Sequence, residues 1–201
     1  MSTATITIGP EHHGQTMSFE DYLDAEFRDD FFCELSRGVI TVIDIPNRPH
    51  QRYLNAAKDQ FYEYKVANPG VIDSISTGAE SRILVAGTES DRHPDLAIYK
   101  TAPPEIDTRE LWKVWIPELV IEVVSPESAD RDYNQKPEDY LQFGVKEYWI
   151  IDGEKQCMTV RQRVSGKWAT RVVTRDDEKQ TTHQLPGFEF DLKRVLDAAK
   201  Q

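Results

Sequence analysis

The chain has little cysteine, no long apolar run and a shortage of positive charge. Its two cysteines, Cys33 and Cys157, lie far apart and form no metal-ligand or redox spacing. They read as free thiols of a reducing compartment, and a cytoplasmic setting is expected. No run of about 18 apolar residues is present, so no membrane span is expected. The opening MSTATITIGPEHHG has no basic segment followed by an apolar one, so a secretory signal is not expected. The formal net charge is −11. That balance disfavours high-affinity, nonspecific DNA binding through a broad basic surface. It leaves room for a local basic cleft, or for a metal ion that changes the local sign. No internal repeat and no linker interrupts the sequence.

What remains is an ordinary globular composition over 201 residues, 39% hydrophobic and 29% charged, enough for one domain with a sizeable core. Residues 1–15 are expected to be a flexible lead-in and 16–201 a single domain. Ser18 and Asp21 resemble a capping pair opening a short helix. Residues 31–44 read as two strands with a turn at Arg37-Gly38. After Pro49, the apolar residues Tyr53, Leu54, Ala57, Phe61 and Tyr64 recur at helical spacing, and Asn68-Pro69-Gly70 ends that helix. Strands are expected at 71–76, 82–86, 94–99 and 118–124, with a loop, TAPPEIDTRE, before the last. A helix is expected from Pro137 to Phe143, stopped by Gly144. A buried strand over 147–152, a hairpin around Ser165-Gly166 and a helix near 190–199 complete an α/β domain with a central mixed sheet.

Two apolar strand candidates each carry one carboxylate: Asp95 in HPDLAIYK and Glu122 in LVIEVVSP. An unpaired carboxylate costs several kcal/mol to bury, and two close ones require a proton or a cation between them. Oxygen ligands of this kind suit Mg²⁺ or Mn²⁺. Two plainer roles compete: Asp95 follows Pro94 and can open a strand, and Glu122 can face solvent. The near-continuous apolar run around Glu122 instead fits a strand covered on both sides. Lys136, Lys100 and Arg131 are the nearby cations, each of which can also be a solvated surface residue. Trp112, Trp115 and Trp149 read as packing rather than as base-stacking platforms.

The ordered set PDLAIYK, LVIEVVSPES and RDYNQKPEDYLQFGVKEYWIID resembles a bacterial family named putative restriction endonucleases, within the PD-(D/E)xK nuclease superfamily. CELSRG, PHQR and LPGFEFDL extend the likeness from about Ser18 to Leu192. The resemblance implies a restriction-endonuclease-like core and metal-dependent cleavage of nucleic acid, DNA above all, with Mg²⁺ or Mn²⁺ and often as a homodimer. It implies that Asp95 and Glu122 are metal ligands, joined by the Val123 carbonyl. The lysine expected two positions after the glutamate is missing, since Val124 stands there, and Lys136 matches a lysine carried on the following helix. Glu34 and His50 match further family positions, and His50 can equally be a capping or packing residue. Ser125, Ser128, Arg131 and Gln135 are candidate phosphate contacts, and the two serines can instead cap a turn. Two other readings stay open: a binding or assembly module that keeps the fold without catalysis, and a metal-dependent phosphodiesterase acting on RNA or nucleotides.

Overall fold

A computed structural model of the chain describes residues 6–29, 31–43, 47–177 and 179–200. Thr7–Ile8 (β1), inside the expected lead-in, pairs in parallel with Glu26–Phe27 (β2), and Ile8 is fully buried. Between them Ser18 caps the helix Phe19–Asp24 (α1) by accepting from the Asp21 N–H. Phe32–Ser36 (β3) and Val39–Ile43 (β4) form a hairpin. Both turn residues have positive φ, Arg37 at 53° and Gly38 at 75°, the geometry that lets a two-residue turn follow strand twist.

Arg48–Ala67 (α2) begins where the Asn47 side chain accepts from the His50 N–H, with Pro49 in the first turn. Its buried stripe of Ala57, Phe61 and Tyr64 is the one expected from the spacing. Ser74–Ser76 (β5), Ile83–Val85 (β6), Ser90–Arg92 (β7) and Leu96–Tyr99 (β8) follow. The strand β7 falls outside every sequence expectation, being three residues of polar composition. The expected loop before residue 118 also gives way at its end. Asp107 accepts from the Arg109 N–H and starts a helix, Thr108–Val114 (α3), whose first residues are the TRE of TAPPEIDTRE.

Leu119–Val123 (β9) and Glu147–Asp152 (β10) run parallel, and the crossover between them carries Lys136–Phe143 (α4). A hairpin, Cys157–Val164 (β11) and Lys167–Thr174 (β12), turns at Ser165 and Gly166, both with positive φ. Gln180–Thr181 (β13), Glu189–Phe190 (β14) and Leu192–Ala198 (α5) close the chain.

The strands make a six-stranded mixed sheet in the order β12-β11-β10-β9-β8-β5 and a four-stranded antiparallel one in the order β4-β3-β7-β6. Side-chain alternation divides β9 between two cores. Leu119, Ile121 and Val123 pack with Phe61 of α2 and Val195 of α5. Val120 packs on the opposite face with Tyr140 of α4 and Ile83 of β6. Glu122 shares the Val120 face, so it points toward α4 and not toward solvent. No helix among the described residues is long and apolar enough to cross a membrane.

Candidate active site

The antiparallel pairing of β8 and β9 ends on the rung Leu96–Ile121. One step further along the same register, Asp95 stands across from Glu122. The Asp95 N–H donates to Glu122 Oε2 at 3.4 Å, and Asp95 Oδ2 accepts from the Val123 N–H at 2.7 Å. The two carboxylates are thus fixed by backbone at one end of the strand pair. Their environments differ. Glu122 is 2% exposed, whereas the Asp95 side chain is 22% exposed and opens on a cleft.

Helix α4 closes over Glu122. Lys136 Nζ lies 2.9 Å from Glu122 Oε1, and the Tyr140 hydroxyl donates to the same oxygen at 2.5 Å. Residues four apart on a helix share a face, so one turn supplies both donors. Lys136 Nζ also lies 3.0 Å from Asp132 Oδ1 and 4.0 Å from Glu34 Oε1. Just before α4, residues Arg131–Gln135 form a wide π-type turn in which the Lys136 N–H reaches back to the Arg131 carbonyl. Such turns recur at functional sites.

Glu34 comes from β3 in the other sheet. Its Oε1 accepts from the His93 N–H at 3.0 Å and its Oε2 from Arg92 Nη1 at 3.2 Å. Arg92, fully buried, also donates to Asp139 Oδ2 through Nε at 2.8 Å and to Ser36 Oγ at 2.9 Å. His50, in the first turn of α2, places Nε2 3.0 Å from Asp95 Oδ2 and leaves Nδ1 without a partner.

These contacts set the electrostatics. Burial pushes the Glu122 carboxyl up to about 8; Lys136 opposes the rise, and the charges of Asp95, Asp132 and Glu34 add to it. Burial works the same way on Glu34, but Lys136, Arg92 and His93 outweigh it and bring that carboxyl down to about 2. Burial disfavours charge on Lys136, yet Asp132, Glu122 and Glu34 together hold the ammonium above its ordinary range. Burial also disfavours charge on His50, and the Asp95 hydrogen bond and charge reverse that, raising the imidazole.

Asp95, Glu122, Val123, Lys136, Glu34 and His50 therefore converge on one cleft of about 1030 Å³. Ser125, Ser128 and Arg131 line the same cleft. The two serine hydroxyls are already used locally, each accepting from the other's backbone N–H, and Ser128 donates to Asp132 at 2.6 Å. Gln135 stands apart from the cleft lining, its amide held by Ser36 at 2.8 Å and Asp130 at 2.9 Å. His93, unassigned from the sequence, has its N–H on Glu34, while the Lys100 N–H is turned to Glu118 at 3.0 Å.

Asp132, Tyr140, Asp139 and Arg92 are functional neighbours that sequence reasoning missed. The first three had a signal: they lie four before, four after and three after Lys136, on one helical face. Arg92 had none beyond standing next to HPDLAIYK. Among the described residues, no group of three or more His, Cys, Asp or Glu side chains converges as a metal-holding cluster. Asp132 and Glu34 are engaged by Lys136 and Arg92, Glu122 by Lys136 and Tyr140, and Asp95 by His50 and the Val123 N–H.

No curated protein matches the chain. A solved structure described as that of a putative nuclease belonging to DUF820 from Anabaena variabilis ATCC 29413 superposes with a TM-score of 0.72. It is 14% identical, with 91% of this chain and 99% of that chain covered, a likeness of fold. The family model Uma2, described as "Putative restriction endonuclease", matches residues 19–193. With most of its length so matched, and with a mixed α/β fold consistent with a PD-(D/E)xK-like nuclease, the chain belongs to the Uma2 family.

Proposed function

We propose that the protein is a metal-dependent endonuclease that hydrolyses phosphodiester bonds, in DNA above all. The observation that carries this reading is the placement of Asp95 across from Glu122 at a strand-pair end, with Lys136 Nζ 2.9 Å from Glu122. The donor set fits a hard divalent cation, Mg²⁺ or Mn²⁺. Asp95 and Glu122 offer carboxylate oxygens, and the carbonyl of Val123, whose N–H already meets Asp95, would be the third oxygen. A carboxyl raised by burial and further by the negative charge of its neighbours, as Glu122 is, gains from an added cation.

When bound, such an ion supplies Lewis-acid charge at the phosphate. The chain's own residues do the rest. Asp95 and Glu122 would hold the cation at the cleft. Lys136, held as an ammonium by three carboxylates, balances charge and orients a water molecule by donating hydrogen bonds. A lysine whose ordinary pKa is raised is a poor proton acceptor at neutral pH, so general-base work does not fall to it. Tyr140 and Asp132 keep Glu122 and Lys136 in place.

The test is a cleavage assay with Mg²⁺ and Mn²⁺ over duplex DNA, single-stranded DNA and RNA. Wild-type cleavage that disappears in Asp95→Ala, Glu122→Ala and Lys136→Ala is expected. Absence of both divalent-ion binding and cleavage in the wild type would sink the enzyme reading and leave the binding-module alternative. Pairing of two copies belongs to the same proposal, and light scattering reads it as a doubled mass.

A further inference from the structure

We propose that the exposed start of β3 is a subsite for an unpaired nucleobase, which makes single-stranded nucleic acid the favoured substrate. The proposal rests on the phosphodiesterase reading above. Strand alternation puts Phe32 and Glu34 on one face of β3, about 7 Å apart along the strand. Phe32 is 37% exposed, while the other four residues of β3 are buried. Its cross-strand neighbour Ile43 lines the same cleft.

His93 joins this aromatic surface to the catalytic groups. Its ring meets Phe32 edge-on, with centroids 4.7 Å apart and planes at 75°, and its N–H holds Glu34. The His93 side chain is 8% exposed and lines the cleft, with Nε2 3.2 Å from Asp91 and Nδ1 without a partner. An exposed aromatic ring braced edge-on by a nearly buried imidazole is a platform on which an unpaired base can stack.

Charge points the same way. The cleft is lined by Asp29, Glu34, Asp95, Glu122, Glu127 and Asp132, against Arg131 and Lys136 besides its histidines. A duplex carries about twice the phosphate charge of one strand per unit length, so this acidic lining disfavours a duplex more. Stacking is independent of charge, and it requires a base that is not already paired inside a helix.

The measurement is the fluorescence of a short single-stranded oligonucleotide carrying 2-aminopurine, titrated with the wild-type chain in EDTA so that nothing is cut. Quenching is expected on binding. Phe32→Ala weakens it about tenfold and Phe32→Trp preserves it, the scale of one stacked base. With Mg²⁺, Phe32→Ala raises KM for single strands with kcat kept, and Phe32→Trp, which keeps a ring against His93, restores the wild-type KM. Equal binding by wild type and Phe32→Ala, or preference for the matching duplex, overturns the subsite even where cleavage is robust. Phe32-dependent quenching without cleavage of any nucleic acid upholds the subsite and removes the phosphodiesterase reading instead.

Discussion

Arg92 and Asp139 meet where no solvent reaches, the guanidinium Nη2 2.7 Å from Asp139 Oδ2 and both side chains fully buried. The pair ties β7 to the helix that delivers Lys136, and the same guanidinium holds Glu34. Burial disfavours charge on Arg92, and Glu34 and Asp139 overcome this to raise its pKa. Removing Arg92 leaves Asp139 without its cation and Glu34 with only Lys136 and the His93 N–H, whereas removing Asp139 leaves Arg92 with Glu34 and Ser36. Arg92→Met is therefore expected to cost roughly 3–5 kcal/mol, and Asp139→Asn less. Urea unfolding of the two variants checks the order.

The lysine itself gives a sharper expectation. Lys136→Met removes the cation that opposes the rise of Glu122, so that carboxyl climbs further and stays protonated to higher pH. Cleavage is lost, and Mn²⁺ affinity at neutral pH falls. Calorimetric titration and single-turnover cleavage read the two effects separately.

Tyr140→Phe deletes one hydroxyl, the one 2.5 Å from Glu122 Oε1, and keeps the buried ring against Tyr148. Once a bound cation holds Glu122 ionised, that hydrogen bond would contribute about 1.5–3 kcal/mol, and less while the carboxyl is protonated. The variant is expected to fold with a lowered melting temperature and to cleave at least about tenfold more slowly with KM unchanged. Steady-state kinetics and a thermal melt check both.

Glu34 makes stability depend on acid. Its carboxyl is lowered from 4.5 to about 2, so its contribution is complete above about pH 4.5 and is lost as pH falls toward about 2. The contribution amounts to roughly 3 kcal/mol. Glu34→Gln is expected to be less stable at neutral pH and flatter across that acid window. Urea midpoints measured through the window distinguish the curves.

The apolar runs around Asp95 and Glu122 marked two strands but left plainer roles open for both carboxylates, and the family resemblance singled them out; β8–β9 pairing sets the two residues across from each other. Sequence reasoning reached the long helix because Ala57, Phe61 and Tyr64 repeat at the helical period. It could not see what comes from another sheet. Glu34 and Lys136 are 102 positions apart, and β7, which brings Arg92 between Glu34 and Asp139, is too short and polar to show a period. TRELWKV was hidden by the two prolines and the loop-like residues ahead of it, although Asp107 gave it a cap. The tryptophans are packing residues, as expected: Trp149 is in the main core and Trp115 stacks on Tyr99 with ring centroids 3.7 Å apart.

The wide turn at Arg131–Gln135 has a consequence for how this site can be lost. A lysine on the strand, two residues after Glu122, would have its direction set by the pleat. Lys136 has its direction set by the rotational phase of α4, and that phase is inherited from the turn before it. Deleting one residue between 131 and 135 would rotate the helix by about 100° and carry Lys136 and Tyr140 off Glu122 together. Such a chain would retain Asp95, Glu122 and Lys136 in its sequence while having no assembled site. Counting the motif residues would then mistake a silent copy for a working one.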